Sequence, residues 1–261
     1  MKAAAAILAA FVLAALAAPW LAPHDPLAVD LRRNYAAASW THPLGTDHLG
    51  RDTLSRLIYG ARLSLTIAGL GVGSALAAGA VLGLAAAWRR GFVDAAVSQA
   101  VDVMLAFPDM LLAIAVVAIL GRGTTATIVA VAAFAWPAFA RITRAAALAV
   151  VSLDYVEAAR ASGASPLRIL ARHVLPNCLS PLISQATLML GSAILIASGL
   201  SFLGLGVQPP DPEWGAMLSR GRELLYSSPA GAIAPGVAIT LAVLAFSVAG
   251  DGLRDRLSGR R

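Results

Sequence analysis

Asp102 and Asp109 stand seven residues apart in an otherwise apolar stretch, with Gln99 beside them. That spacing puts two carboxyl groups on one face of a helix. Carboxyls so placed inside a membrane can take up and release protons, which is the chemistry of a proton-coupled carrier. The plainer reading sets Asp102 at the inner interface, in an amphipathic lead-in, and lets Pro108 break the helix near Asp109. His42, Asp47 and His48 offer imidazole and carboxylate groups for an external metal, but as residues of a turn they read more simply as solvated. No other arrangement suggests catalysis. A serine hydrolase needs a base within reach of its nucleophile, and the four histidines, His24, His42, His48 and His173, all fall between apolar runs. A phosphate-binding loop needs Gly-x-x-x-x-Gly-Lys before Ser or Thr. The only lysine is Lys2, so ATP cannot be hydrolysed on this chain. A single cysteine, Cys178, rules out a disulfide framework and a multi-cysteine metal site.

The elements that must carry these residues are membrane helices. Apolar residues make up 59% of the 261 and charged residues 13%, against about 45–50% and about 25% in soluble domains. The mean hydropathy is +0.76. A hydrocarbon core of about 30 Å asks for about 20 apolar residues in a helix. Runs of that kind extend over Ala3–Ala22, Leu63–Trp88, Leu179–Val207 and Ser227–Gly250, and two interrupted ones over Ala95–Leu120 and Thr124–Leu148. The expectation is an all-α polytopic protein with about six transmembrane helices. The first run, with Lys2 and Ala15-Leu16-Ala17, also has features of a secretory leader, but its apolar stretch is long and its basic start weak.

All but one of the 20 basic residues are arginine, and the net charge is +6 with a pI near 10.4. In a membrane chain such an excess marks inner loops rather than nucleic-acid binding. With the N-terminus inside, Lys2, Arg89, Arg90, Arg141, Arg144, Arg160, Arg168, Arg172 and the tail arginines Arg254, Arg256, Arg260 and Arg261 fall on the inner side, a modest majority. Residues 1–62 then hold a first helix, an external segment and an interfacial helix capped by Asp52, whose apolar positions Leu54, Leu57, Ile58, Ala61 and Leu65 keep helical spacing. Residues 63–250 form a core of five helices, and 251–261 a basic inner tail. Trp20 and Trp88 end spans as interface anchors. Gly204 and Gly206 give close packing or a hinge.

The inner loop 151–177 reads as helix, turn, helix. Gly163 closes the first helix in the left-handed conformation, and Ser165 caps a second that begins at Pro166. Leu167, Leu170, Ala171 and Val174 line one face of the second helix, and Pro176 stops it. A capped amphipathic pair at a membrane surface suits either docking or rest on lipid.

Here the residues resemble a known family. Glu157-Ala158-Ala159, then Gly163, then Leu175-Pro176 is similar to the EAA loop of ATP-binding-cassette importer permeases, with His173 where Ile is usual. Leu44 to Asp52, Phe107-Pro108, Ser201 to Val207, Pro212 to Gly215 and Gly250 to Asp255 resemble the second, C-type, permease of dipeptide, oligopeptide and nickel importers; Ser247 stands where Asn is frequent. The resemblance implies a MetI-like permease core in a bacterial cytoplasmic membrane. It implies a B-type permease partner, two ATPase subunits holding ATP and Mg, and an external solute-binding protein. It assigns coupling to the ATPase to Glu157, Ala158, Ala159, Gly163, Leu167 and Leu170. Dipeptide, oligopeptide and chelated nickel are all open as solutes, and no pathway residue is assigned.

Overall fold

A computed structural model describes residues 2–225 and 229–257. Among these the regular structure is helical, with one isolated bridge between Thr46 and Asp52. The helices are α1 (Lys2–Leu16), α2 (Ala18–Leu21), α3 (Thr53–Arg89), α4 (Gly91–Ala106), α5 (Asp109–Leu120), α6 (Thr124–Val151), α7 (Asp154–Ala161), α8 (Pro166–Phe202), α9 (Trp214–Gly221) and α10 (Ala230–Leu257).

Four of them, α3, α6, α8 and α10, are long and apolar enough to cross a membrane among the described residues. The remaining two expected spans take other forms. The run expected over Ala95–Leu120 is two helices, α4 and α5, bent by 98° at Phe107-Pro108. Proline forces the residue before it into extended backbone, and Phe107 has φ −86° and ψ 138°. The first run is divided at Ala17, two residues before Pro19, which lacks the N–H that would continue the helix. This leaves α1 with 15 residues, about 22 Å at 1.5 Å per residue.

Two further boundaries move for stated reasons. The interfacial helix expected after Asp52 is not separate: Asp52 does cap it, accepting from the Ser55 N–H at 2.7 Å, but the helix continues unbroken through Arg89. A separate helix would need a break between residues 53 and 63, and the one glycine there, Gly60, lies inside the helix. Pro176 does not stop the second loop helix either. The turn Leu170–Val174 widens to π geometry, which accommodates a residue without an N–H, and the same helix runs on to Phe202. Of the last expected span, Ser227 and Ser228 lie outside the described residues, as do tail residues 258–261 with Arg260 and Arg261. The tail's described part, 251–257, forms the last turns of α10.

The bundle is organised around α3 and α6, which pack against each other along most of their length, with α8 across both and α10 against α8. Ile67, Ala68 and Val72 of α3 meet Val131, Ala135 and Phe139 of α6 and Ala193, Ile194 and Ala197 of α8 in one buried cluster. Phe11 of α1 packs edge-on against Trp214 of α9 with ring centres 5.3 Å apart.

Segments expected on the same side of the membrane share one end of the bundle. The external segment and the 207–225 loop meet through Arg56 Nη1 donating to the Pro210 carbonyl at 3.4 Å and Arg220 Nη1 against His48 Nε2 at 3.0 Å. At the other end Arg144 pairs with Asp94, and the Arg160 guanidinium lies 4.3 Å from the Trp88 ring centre.

Candidate functional site

The inner loop is fastened on one side and open on the other. The turn after α7 is a Schellman closure: Gly163 N–H donates to the Arg160 carbonyl at 2.9 Å and Ala164 N–H to the Ala159 carbonyl at 3.1 Å, with Gly163 at φ +77°. Ser165 Oγ then accepts from the Arg168 N–H at 3.4 Å, and Pro166 opens α8. Val156, Ile169 and Val174 are fully buried against the bundle, and Arg160 stacks on Trp88. Asn177 Nδ2 donates to Tyr155 Oη at 3.3 Å, tying α7 to α8.

Four of the six candidate coupling residues fall on the opposite side, while Ala159 and Leu170 pack against the buried core. Glu157, Ala158 and Gly163 are exposed, Ala159 and Leu170 are half-buried, and Leu167 is 77% exposed. The expected apolar face of the second helix is thereby corrected. Leu167 and Ala171 point away from the bundle while Ile169, which that face omitted, is buried. Ile169 and Val174 stand five apart, a spacing that the π turn over Leu170–Val174 brings onto one side, so a simple 3.6-residue count misplaces the face.

Cys178 is fully buried, which makes it silent to impermeant reagents and turns the topology into a clean test. Trp40, fully exposed in the external segment, and Ser162, exposed in the inner loop, are opposite-end positions for single thiols. Trp40→Cys is expected to react with an impermeant maleimide in spheroplasts and Ser162→Cys only in inside-out vesicles, with the parent chain unlabelled in both. Labelling of Ser162→Cys in spheroplasts inverts the orientation.

Asp102 and Asp109 do not share a face. The 98° bend places them on different helices, and Asp102 lies 3.9 Å from Arg141 with both side chains largely exposed. The geometry a paired proton relay needs is absent from the described residues.

The external segment holds buried polar groups that reading by residue type leaves as solvated turn. His42 is 7% exposed; its Nδ1 lies 2.9 Å from Asp52 Oδ1 and its Nε2 3.2 Å from Arg33 Nη1. His24 stacks on it with ring centres 4.5 Å apart. The atoms of His24, His42 and Asp52 that could bind a metal lie within 4.8 Å of one another. With Arg33 donating to Nε2, Nδ1 of His42 carries the proton to Asp52, so the group reads as a helix-capping network. Asp47, grouped with the histidines by sequence, instead pairs with Arg51 Nη2 at 2.7 Å. Burial alone would raise its carboxyl, but Arg51 and the backbone N–H groups of Leu49 and Arg51 hold it below the usual range.

Glu213 is legible in the sequence only as part of a motif. It is fully buried beneath the outer loop, where its carboxylate accepts from the Ala216 N–H at 2.9 Å and from Ser64 Oγ at 3.2 Å. Burial pushes this carboxyl up from its ordinary 4.5, against the pull of its hydrogen bonds. A raised native value means that the folded state holds the proton longer than the unfolded chain. The stabilisation is therefore complete below the ordinary value and lost as pH rises through the native one. Glu213→Gln keeps the shape and one acceptor oxygen for the Ala216 N–H, and removes the charge. As pH rises from the ordinary value of 4.5, the parent chain is expected to lose melting temperature relative to this variant, and parallel profiles would contradict the assignment.

Against known proteins, residues 79–261 match the family of binding-protein-dependent transport system inner membrane components. The chain belongs to that family. Residues 2–38 match the N-terminal transmembrane domain of oligopeptide transport permease C. Among its relatives is the di/tripeptide transport system permease protein DppC of Pseudomonas aeruginosa, 48% identical over 252 residues, covering 94% of this chain and 83% of that one. The glutathione transport system permease protein GsiD of Pectobacterium atrosepticum is 46% identical over 241 residues, covering 92% and 80%. The fold is that of the permease in inward-facing structures of the MetNI methionine ABC transporter, with a TM-score of 0.61 at 22% identity over 78% of this chain and 97% of that one. This permease is therefore a C-type membrane subunit of an ATP-binding-cassette importer, with a MetI-like all-α fold, and a transport subunit rather than an enzyme.

Proposed function

We propose that this permease pairs with a B-type permease to form the path for short peptides, di- or tripeptides in the first place, across a bacterial cytoplasmic membrane. An external solute-binding protein delivers the peptide, and two ATPase subunits that hold ATP and Mg drive the cycle. The names of the relatives support peptides over chelated nickel. The lone Lys2 supports placing nucleotide chemistry on partners.

The observation that carries the coupling role is the division of the inner loop. Val156, Ile169 and Val174 anchor it in the core shared with α3 and α6, while Glu157, Ala158, Gly163 and Leu167 face outward. An element held rigidly on one side transmits a push received on the other. Ala158 and Ala159 let a partner approach closely, and Leu167 offers apolar area to a cleft. The test is uptake of labelled alanyl-alanine into proteoliposomes that contain the four-subunit complex, binding protein and ATP. ATP-dependent uptake that fails without the binding protein is expected. Uptake driven by a proton gradient without nucleotide would overturn the reading.

A further inference from the structure

A second constellation lies at the opposite end of the bundle, unused by the coupling argument. Three guanidinium groups from three separate segments converge on one small cavity of about 50 Å³: Arg51 from the external segment, Arg56 from the first turn of α3, and Arg220 from α9. Tyr35, Thr46, Asp47, His48 and Thr53 complete its polar lining. Arg51 and Arg56 are 3% and 6% exposed, and the buried position of two cations is what makes the cavity unusual. Arg220, His48 and Tyr35 stand nearer the surface and give access from outside.

The charges in this lining do not balance. Asp47 faces both buried arginines, at 2.7 Å from Arg51 Nη2 and 3.5 Å from Arg56 Nε. Arg56 Nη1 is otherwise engaged by the Pro26 and Pro210 carbonyls, which orient it but bring no charge. Arg220 Nη1 meets His48 Nε2 at 3.0 Å. Burial, with the neighbouring guanidinium charges, outweighs the opposing pull of Asp47 and pushes the His48 imidazole down, so the ring is neutral and accepts from Arg220. One carboxylate in the lining thus faces three cations, with Asp211 near Arg56 as the next acid. Like charges collected in a low-dielectric site repel unless an anion joins them.

Size and geometry select the anion. A water needs about 10–15 Å³ of such space, so the cavity of about 50 Å³ has room for about three to five non-hydrogen atoms, enough for a small carboxylate. Guanidinium forks match carboxylate geometry with paired hydrogen bonds. We propose that this cavity is an external binding site for a small carboxylate, and that the free C-terminus of a transported peptide is the group it takes. The second half of that statement rests on the peptide reading; the first does not.

The experiment uses the importer complex in detergent, with melting temperature followed against sodium acetate at ionic strength matched by chloride. A saturable rise is expected in the parent complex. Arg220→Gln is expected to move half-saturation by about tenfold or more, the loss of one hydrogen bond to a charged group, while Arg220→Lys falls between. Arg122→Gln, an exposed outer cation away from the cavity, serves as the control and should leave the curve in place. Alanyl-alanine should reproduce the acetate effect and alanyl-alanine amide should not. No saturable acetate effect, or an identical curve in Arg220→Gln, overturns the site. An acetate-insensitive complex whose retention of the binding protein still depends on Arg220 would also overturn it, and make the arginines a protein contact. Because acetate binding needs neither ATP nor uptake, a complex that binds acetate but does not transport alanyl-alanine sinks the cargo assignment alone.

Discussion

Gly79→Leu is expected to prevent accumulation of folded protein or to lower its melting temperature sharply, whereas Gly69→Leu in the same helix leaves it close to the parent. The difference lies in what a side chain would meet. A Cβ at Gly79 falls 2.6 Å from Phe139 Cβ, 2.7 Å from the Trp136 carbonyl oxygen and 2.8 Å from the Ala140 nitrogen. Two of these are backbone atoms of α6, so no rotamer change relieves them. At Gly69 nothing lies within 4 Å. Gly71, Ala75, Gly79 and Gly83 recur every four residues along α3 and are all buried, which lets the two helices approach at backbone distance. Overpacking in a closed interface costs about 1–3 kcal/mol and more where backbone must move, against a total stability of about 5–15 kcal/mol. Leucine is a better helix former than glycine, so the intrinsic preference acts in the opposite direction. Melting in one detergent decides it. Equal midpoints for the two variants would mean that α3 and α6 do not meet at these glycines.

That stripe shows how sequence and structure divide the information. The apolar runs of α3, α6, α8 and α10 are readable because lipid accepts only long satisfied helices, and length and composition report that directly. The closure at Gly163, the Ser165 cap and the break at Pro108 are readable because each follows from the backbone limits of one residue. Helix partners are not. Glycines spaced by four look alike whether they face a helix, as Gly79 does, or nothing described, as Gly69 and Gly73 do. Even so, Gly204 and Gly206, read together as packing or hinge, have separate jobs. Gly204, at φ +76° with open space around it, closes α8, while a side chain at Gly206 would collide with Ser201. The buried polar groups are the least legible. His42 and Asp52 hold each other across 10 positions of sequence, and Glu213 is held by Ser64 from 149 positions away. No local pattern encodes such pairings, and residue type alone assigns these groups to solvent.

Gly163→Val is expected to uncouple transport from ATP hydrolysis while the membrane helices stay intact. At φ +77° the position demands the left-handed region, which costs a β-branched residue about 1–2 kcal/mol or more. No atom lies within 4 Å of a Cβ there, so the penalty is one of backbone conformation and not of collision. The chain relieves it by opening the turn, which loses the bonds from Gly163 and Ala164 to the Arg160 and Ala159 carbonyls. Val156 and the Arg160–Trp88 contact hold α7, and Ile169 and Val174 hold α8. What changes is the angle between them, and with it the placement of Glu157 relative to Leu167. A preference of about 1–2 kcal/mol against the docking geometry corresponds to a factor of about 5–30 in its population, so alanyl-alanine uptake should fall by that order while basal ATP hydrolysis continues. Gly204→Val supplies the control, since Gly204 has φ +76° and equal space but closes α8 at the outer end. It carries the same strain away from the ATPase and should leave solute-stimulated hydrolysis in place. If Gly163→Val keeps full uptake and stimulation, or if Gly204→Val abolishes stimulation equally, the inner loop is a passive surface element and the coupling face must be sought elsewhere.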